Sequence, residues 1–195
     1  MAHRYVPLVL LLLVSQLFAQ ENAATQRLRA QSEQFEERVI KVADNVYTAV
    51  GYSVSNVSMI VGDDGVVIVD TGMMGEAAEK IAQEFRKLSD KPVKAIIFTH
   101  GHGDHTGGAP AFFGETSPQI WAHTNYGCEG RWWDAGGLTI QKVRGARQAG
   151  FKLPPEQRIN NGVAPVRYPK RGGAVFASGR AALPTHFLED ERQAV

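Results

Sequence analysis

The chain has one cysteine, Cys128, among 195 residues, so it can form no internal disulfide. Its fold must rest on packing or on metal, whatever the redox state of its compartment. Cys128 reads as a small buried hydrophobe or as a nucleophilic thiol. No charge pair beside it favours a thiolate, which supports the first reading. An excess of charge is also missing. With 21 Lys+Arg against 20 Asp+Glu the net charge is +1, which removes the electrostatic case for a nucleic-acid partner. The 20 glycines follow no three-residue period, and 44% hydrophobic residues are too many for a disordered polymer. There is no internal repeat and no low-complexity tract. The apolar run over residues 6–14 is shorter than the roughly 20 residues a membrane span requires.

That run does have the shape of an export signal. His3 and Arg4 form a short basic start, residues 10–13 are continuous leucine, and small Ala19 follows a more polar exit. Cleavage after Ala19 would direct a neutral mature chain to the periplasm or outside the cell. An uncleaved anchor or a buried N-terminal helix is the competing reading.

Residues 20–34 are polar and form a loose lead-in or an exposed helix. The domain boundaries expected are therefore 1–19 for the signal, 20–38 for the lead-in and 39–195 for the folded domain. Strand character begins near Val39 and continues through Val42, Val46, Tyr47 and Val50. Residues 57–61 and 66–69 flank Gly62-Asp63-Asp64-Gly65, a hairpin turn. Between residues 75 and 90, Ala78, Ile81, Ala82, Phe85 and Leu88 recur at helical spacing. Pro92 closes that helix, and residues 93–98 read as a fully buried strand. A short strand is expected at 120–122 and a helix within 132–149. Beyond residue 150, Pro and Gly dominate, and only 174–177 suggests a regular element. Hairpins followed by helix, strand, loop and strand give an α+β fold, a sheet with helices packed against it.

The densest chemistry follows the expected buried strand: Thr99-His100-Gly101-His102-Gly103-Asp104-His105-Thr106-Gly107-Gly108. Three of the six histidines fall within six residues, with a carboxylate among them. Neutral imidazoles and a carboxylate are ligands that suit Zn²⁺. His100 and His102 can reach one ion from a tight loop, and Asp104 and His105, aimed the other way, can reach a second. Gly101 and Gly103 remove Cβ clashes from that loop. A His-rich exposed turn that binds only adventitious metal is the bland alternative. Position favours a real site, because open α/β sheets bind ligands at strand ends.

His100-x-His102-x-Asp104-His105, after an apolar strand ending in Thr99, resembles the metallo-β-lactamase superfamily motif. Residues 66–72, ending Asp70-Thr71-Gly72, resemble the same family's strand ending in Asp-x-Gly. The resemblance runs from about residue 45 to residue 120. It implies an αβ/βα sandwich of which this chain holds the first half plus a linker, as an N-terminal fragment would. It also implies one or two zinc ions held by His100, His102, Asp104 and His105, although a His/Asp set also accepts Fe or Mn. A metal-bound hydroxide would be the nucleophile, with Asp104 as the catalytic residue orienting it. Asp70 would support the metal loop from behind the ligands; on its own it reads equally as a turn residue ending a strand.

Within that superfamily the stretch Arg144-Gly-Ala-Arg147-Gln148-Ala-Gly150-Phe-Lys-Leu153-Pro154-Pro155, with Gly162-Val-Ala-Pro165, is similar to the linker of exported alkyl-sulfatase-like members. Residues 183–191 look like the stretch preceding their next strand. This implies hydrolysis of alkyl sulfate esters, a small-molecule ester substrate and no nucleic acid. Other hydrolases of the superfamily, acting on β-lactams, thioesters or lactones, are the first alternative. An inactive exported zinc-binding protein or truncated product is the second. Trp121, Trp132, Trp133 and Phe151 could line an apolar channel or simply pack, and Arg144 or Arg147 could meet an anionic head group or water. After His105 only His123 and His186 remain as imidazole donors. His123 reads as a packing or hydrogen-bonding residue. His186 is placed to be a third ligand but lacks the Pro-Gly turn expected around one.

Overall fold

A computed structural model describes residues 22–115, 117–127, 143–144, 147, 150, 153–154, 157–162, 164 and 182–189. The expected signal at 1–19, Cys128, Trp132, Trp133, Phe151, the segment 174–177 and most of the helix expected within 132–149 lie outside them. Arg144 and Arg147 are described, and both are exposed.

The polar lead-in is a helix, α1 (Ala23–Ser32), with Asn22 capping the Thr25 amide and no buried residue on any face. Four strands follow in sequence: β1 (Arg38–Ala43), β2 (Val46–Val50), β3 (Val57–Val61) and β4 (Val66–Val69). They pair as an antiparallel meander. The Gly62–Gly65 turn closes with Gly62 N donating to Gly65 O at 2.8 Å, as the glycine and aspartate pattern requires. Helix α2 (Glu76–Leu88) then crosses to β5 (Val93–Ile97), and the histidine-bearing segment leads to β6 (Gln119–His123). The last strand is β7 (His186–Leu188). Strands β4 to β7 run parallel, and all seven lie in sequence order within one sheet.

The period-2 rule fixes which side chains meet. Val57, Met59, Val66, Ile68, Ile96, Ile120 and Ala122 share one face and are buried. On α2, Ala78, Ile81, Ala82 and Phe85 recur at i, i+3, i+4 and i+7 and close over that face. Glu76 and Glu79 sit in its first turn and Arg86 and Lys87 in its last, matching the helix dipole. Gly108 is required beneath this helix, because a Cβ there would run into the Thr71 carbonyl and the Ala78 methyl.

Two expectations change. Strand β5 is buried at Ile96, but Val93, Ala95 and Ile97 are half-exposed and Lys94 is exposed. Its apolar run, broken by Lys94, therefore does not mean burial on both faces among the described residues; α2 covers only one. Residues 183–191 were expected to precede a strand, yet β7 lies within them. Its three residues carry no usable period, and parallel pairing with β6 (Trp121 with His186, Ala122 with Phe187) makes the strand.

Core truncation should follow these burials. Ile81→Ala, at 0% exposure, is expected to cost about 2–5 kcal/mol in urea unfolding of the full chain. Leu88→Ala, at 46% exposure on the same helix, is expected to cost about 1 kcal/mol or less.

Candidate metal centre

All the chemistry gathers at the carboxyl ends of β4 and β5. Strand β4 stops at Val69 because Asp70 takes a left-handed backbone, φ 55°, with its amide donating to Ile97 O at 2.9 Å. Aspartate is among the few side-chain-bearing residues that enter this region readily. At 6% exposure its charge must be paired within the protein. It is: Oδ1 accepts from Thr99 N at 2.9 Å, and both carboxylate oxygens lie within 3.1 Å of Thr99 Oγ1. Oδ2 is also 2.8 Å from His105 Nδ1. Asp70 is therefore a support of the metal loop as well as the end of its strand.

This geometry settles where the imidazole protons go. A carboxylate only accepts, so His105 must carry its proton on Nδ1, which leaves the Nε2 lone pair pointing outward. The single hydroxyl proton of Thr99 is committed to Asp70. Its oxygen, 3.0 Å from His100 Nδ1, therefore accepts from that ring nitrogen. His100 thus has the same tautomer. One buried carboxylate prepares two histidines as Nε2 donors, one directly and one through a hydroxyl.

The loop itself is a single helical turn, α3 (Gly103–Thr106), with His102 before it in extended conformation. It continues into a 3₁₀ turn, Ala109–Phe112. The His100 ring packs edge-on to His102 with centroids 4.6 Å apart and tilts over His105 at 4.0 Å. Asp104 Oδ2 lies 3.6 Å from His105 Nε2. Two donors on one tetrahedral ion at about 2.0–2.2 Å sit about 3.3–3.6 Å apart, so this pair fits a shared divalent cation. No group of three or more His, Cys, Asp or Glu among the described residues converges as a complete cage. The loop presents adjoining pairs of donors.

The other histidines among the described residues are His123 and His186. His123, at the end of β6, accepts from the Asn125 amide through Nδ1 at 3.1 Å. His186 stacks on Trp121 with ring centroids 4.6 Å apart, and its Nδ1 is 2.8 Å from Thr185 Oγ1. Trp121 thus packs against a neighbouring strand, and its indole N–H donates to Gln119 at 3.1 Å. Thr71 and Thr99 are the residues that motif reading missed. The available signal was a hydroxyl residue at each strand end next to a charged loop.

Residues 50–187 match the family described as the metallo-beta-lactamase superfamily. The chain belongs to that superfamily. Among curated proteins it is 51% identical over 57 residues to a linear primary-alkylsulfatase of a Pseudomonas strain, which covers 29% of this chain and 11% of that protein. An alkyl/aryl-sulfatase of Saccharomyces cerevisiae is 39% identical over 71 residues, covering 36% of this chain and 11% of that protein. The chain thus spans about a tenth of each of these relatives. A stereoselective inverting sec-alkylsulfatase from Pseudomonas sp. shares the fold, with a TM-score of 0.54 and 22% identity. That likeness covers 71% of this chain and 26% of the other. Membership of the superfamily implies a divalent metal.

Burial, and then the neighbouring His105 and His102, hold the His100 pKa below the usual imidazole value. The ring is thereby favoured in its neutral form. In the metal-free folded chain His100 takes up its proton later on acidification than in the unfolded chain. Its contribution to stability is therefore complete above about pH 6.5 and lost as pH falls through the lowered value. Denaturation of the metal-free chain across this range should show that acid-side loss, and His100→Gln should flatten it.

Asp70 can be tested separately. Asp70→Asn keeps a residue suited to φ 55° but removes one acceptor, for an expected loss of about 1–3 kcal/mol. Asp70→Ala also removes the pairing of His105 and Thr99, and should cost about 3–5 kcal/mol by the same denaturant measurement.

Proposed function

We propose that this chain forms the metal-loop portion of an exported, zinc-dependent hydrolase of alkyl sulfate esters. The observation that carries the proposal is the His100-x-His102-x-Asp104-His105 loop held by the buried Asp70 carboxylate, in a chain whose curated relatives are alkylsulfatases. His100 and His102 would hold one ion, and Asp104 and His105 a second. When bound, a divalent ion acidifies water to a pKa of about 7 and polarises the scissile group. The chain's own work is orientation. Asp70 and Thr99 fix the rings of His100 and His105, and Asp104 offers the carboxylate oxygen that would direct the attacking water.

Zinc is favoured by the donor set, imidazole with carboxylate. Export is favoured by the basic start, apolar run and small exit residue over residues 1–19. No helix among the described residues is long and apolar enough to cross a membrane. A small ester substrate fits a neutral chain with no excess of basic residues.

A second reading, metal binding without turnover, is favoured by one observation: no three donors converge among the described residues. Assay of the Zn²⁺-loaded chain against a linear alkyl sulfate, a β-lactam and a thioester separates the readings. The expected result is turnover of the alkyl sulfate alone, with the ion of the His100–His102 pair and activity lost together in His102→Ala. Turnover of the β-lactam or thioester instead would replace the substrate class. Metal uptake with no turnover would establish the second reading. Uptake below about half an ion per chain with no hydrolysis would sink both.

A further inference from the structure

The single turn that carries Asp104 and His105 is too short to satisfy its own carbonyls. Within it, His102 O accepts from the His105 and Thr106 amides, and Gly103 O accepts from Gly107. The carbonyls of Asp104 and His105 are instead met by donors from other loops. Thr71 covers His105 O with both its amide and its hydroxyl, at 2.7 and 2.9 Å. Ser55 Oγ donates to Asp104 O.

Ser55 is half-buried in residues 51–56, the connection between β2 and β3, and that connection is itself fixed. The buried Ser53 hydroxyl accepts from the Met73 amide at 3.1 Å, tying the connection to the turn after β4. Gly51, at φ 81°, lies so close to the carbonyls of Phe35 and Glu36 that a Cβ would collide with both. Ser55 therefore donates from a braced loop. The two carboxylates of the site are held in different ways. Asp70 is fixed through its side-chain oxygens by N–H and O–H donors, whereas among the described residues Asp104 Oδ2 lies beside the ring of His105, at 3.6 Å. The backbone beneath Asp104 is what places its carboxylate.

We propose that Ser55 is a positioning residue for Asp104. By holding the Asp104 carbonyl it keeps the carboxylate beside His105 Nε2, and so sets the metal affinity of that pair while leaving His100 and His102 untouched. This rests on the metal reading above.

The test is a Zn²⁺ titration of the full chain in competition with a chromophoric chelator. Ser55→Ala is expected to weaken uptake about tenfold. Ser55→Thr, which keeps the hydroxyl, should restore it and shows that any loss is not general misfolding. The effect of Ser55→Ala should persist in His102→Ala and vanish in Asp104→Asn, where the carboxylate to be positioned has lost its charge. Unchanged affinity in Ser55→Ala, or an equal loss in the Asp104→Asn background, overturns the role of Ser55 while leaving the metal reading intact. A wild-type chain that takes up no ion overturns both.

Discussion

The candidate centre depends on one buried carboxylate. Asp70 has almost no water around it, so its charge is tolerable only because Thr99 and His105 surround it with donors. The same bonds that pair the charge also dictate the protons of two imidazoles. Stability and site preparation are therefore a single interaction here, and neither can be altered without the other. The left-handed backbone at Asp70 belongs to this arrangement. It ends β4 and turns the carboxylate toward the loop that follows the neighbouring parallel strand β5.

The sheet supplies the rest. Parallel pairing of β4 and β5 brings the Asp70 turn beside Thr99 and His100, although 29 residues separate Asp70 from Thr99. Helix α2 covers the buried face of that same unit and leaves the loop at the carboxyl edge. Glycine at 108 lets the chain following the loop lie against both α2 and the Thr71 carbonyl. The loop's short helical turn is thus held from below by packing and from its sides by Ser55 and Thr71.

The cluster of imidazoles and carboxylate at residues 100–105 was legible in the sequence because its members are contiguous. The β3–β4 hairpin and the buried face of α2 were legible for a similar reason: turn chemistry and periodicity are local. Asp70 was only half legible, since an aspartate ending a strand reads equally as a turn. What decided it was contact across 35 positions with His105. Ser55 gave no local signal and Thr71 only its hydroxyl at a strand end, because their partners lie 49 and 34 positions away. Strand β7 was missed for the same reason: three residues become a strand only beside β6. The apolar run of β5 misled in the other direction, because composition cannot tell a strand covered on both faces from one covered on one.

The central claim is that Asp70 sets the tautomers of His100 and His105. Long-range ¹H–¹⁵N NMR of the imidazole nitrogens in the metal-free chain tests it most directly, above the pH at which the rings protonate. Both rings are expected to be protonated at Nδ1 in the wild type, with that preference lost in Asp70→Ala. Both rings protonated at Nε2 in the wild type, or tautomers indifferent to the loss of Asp70, would contradict it.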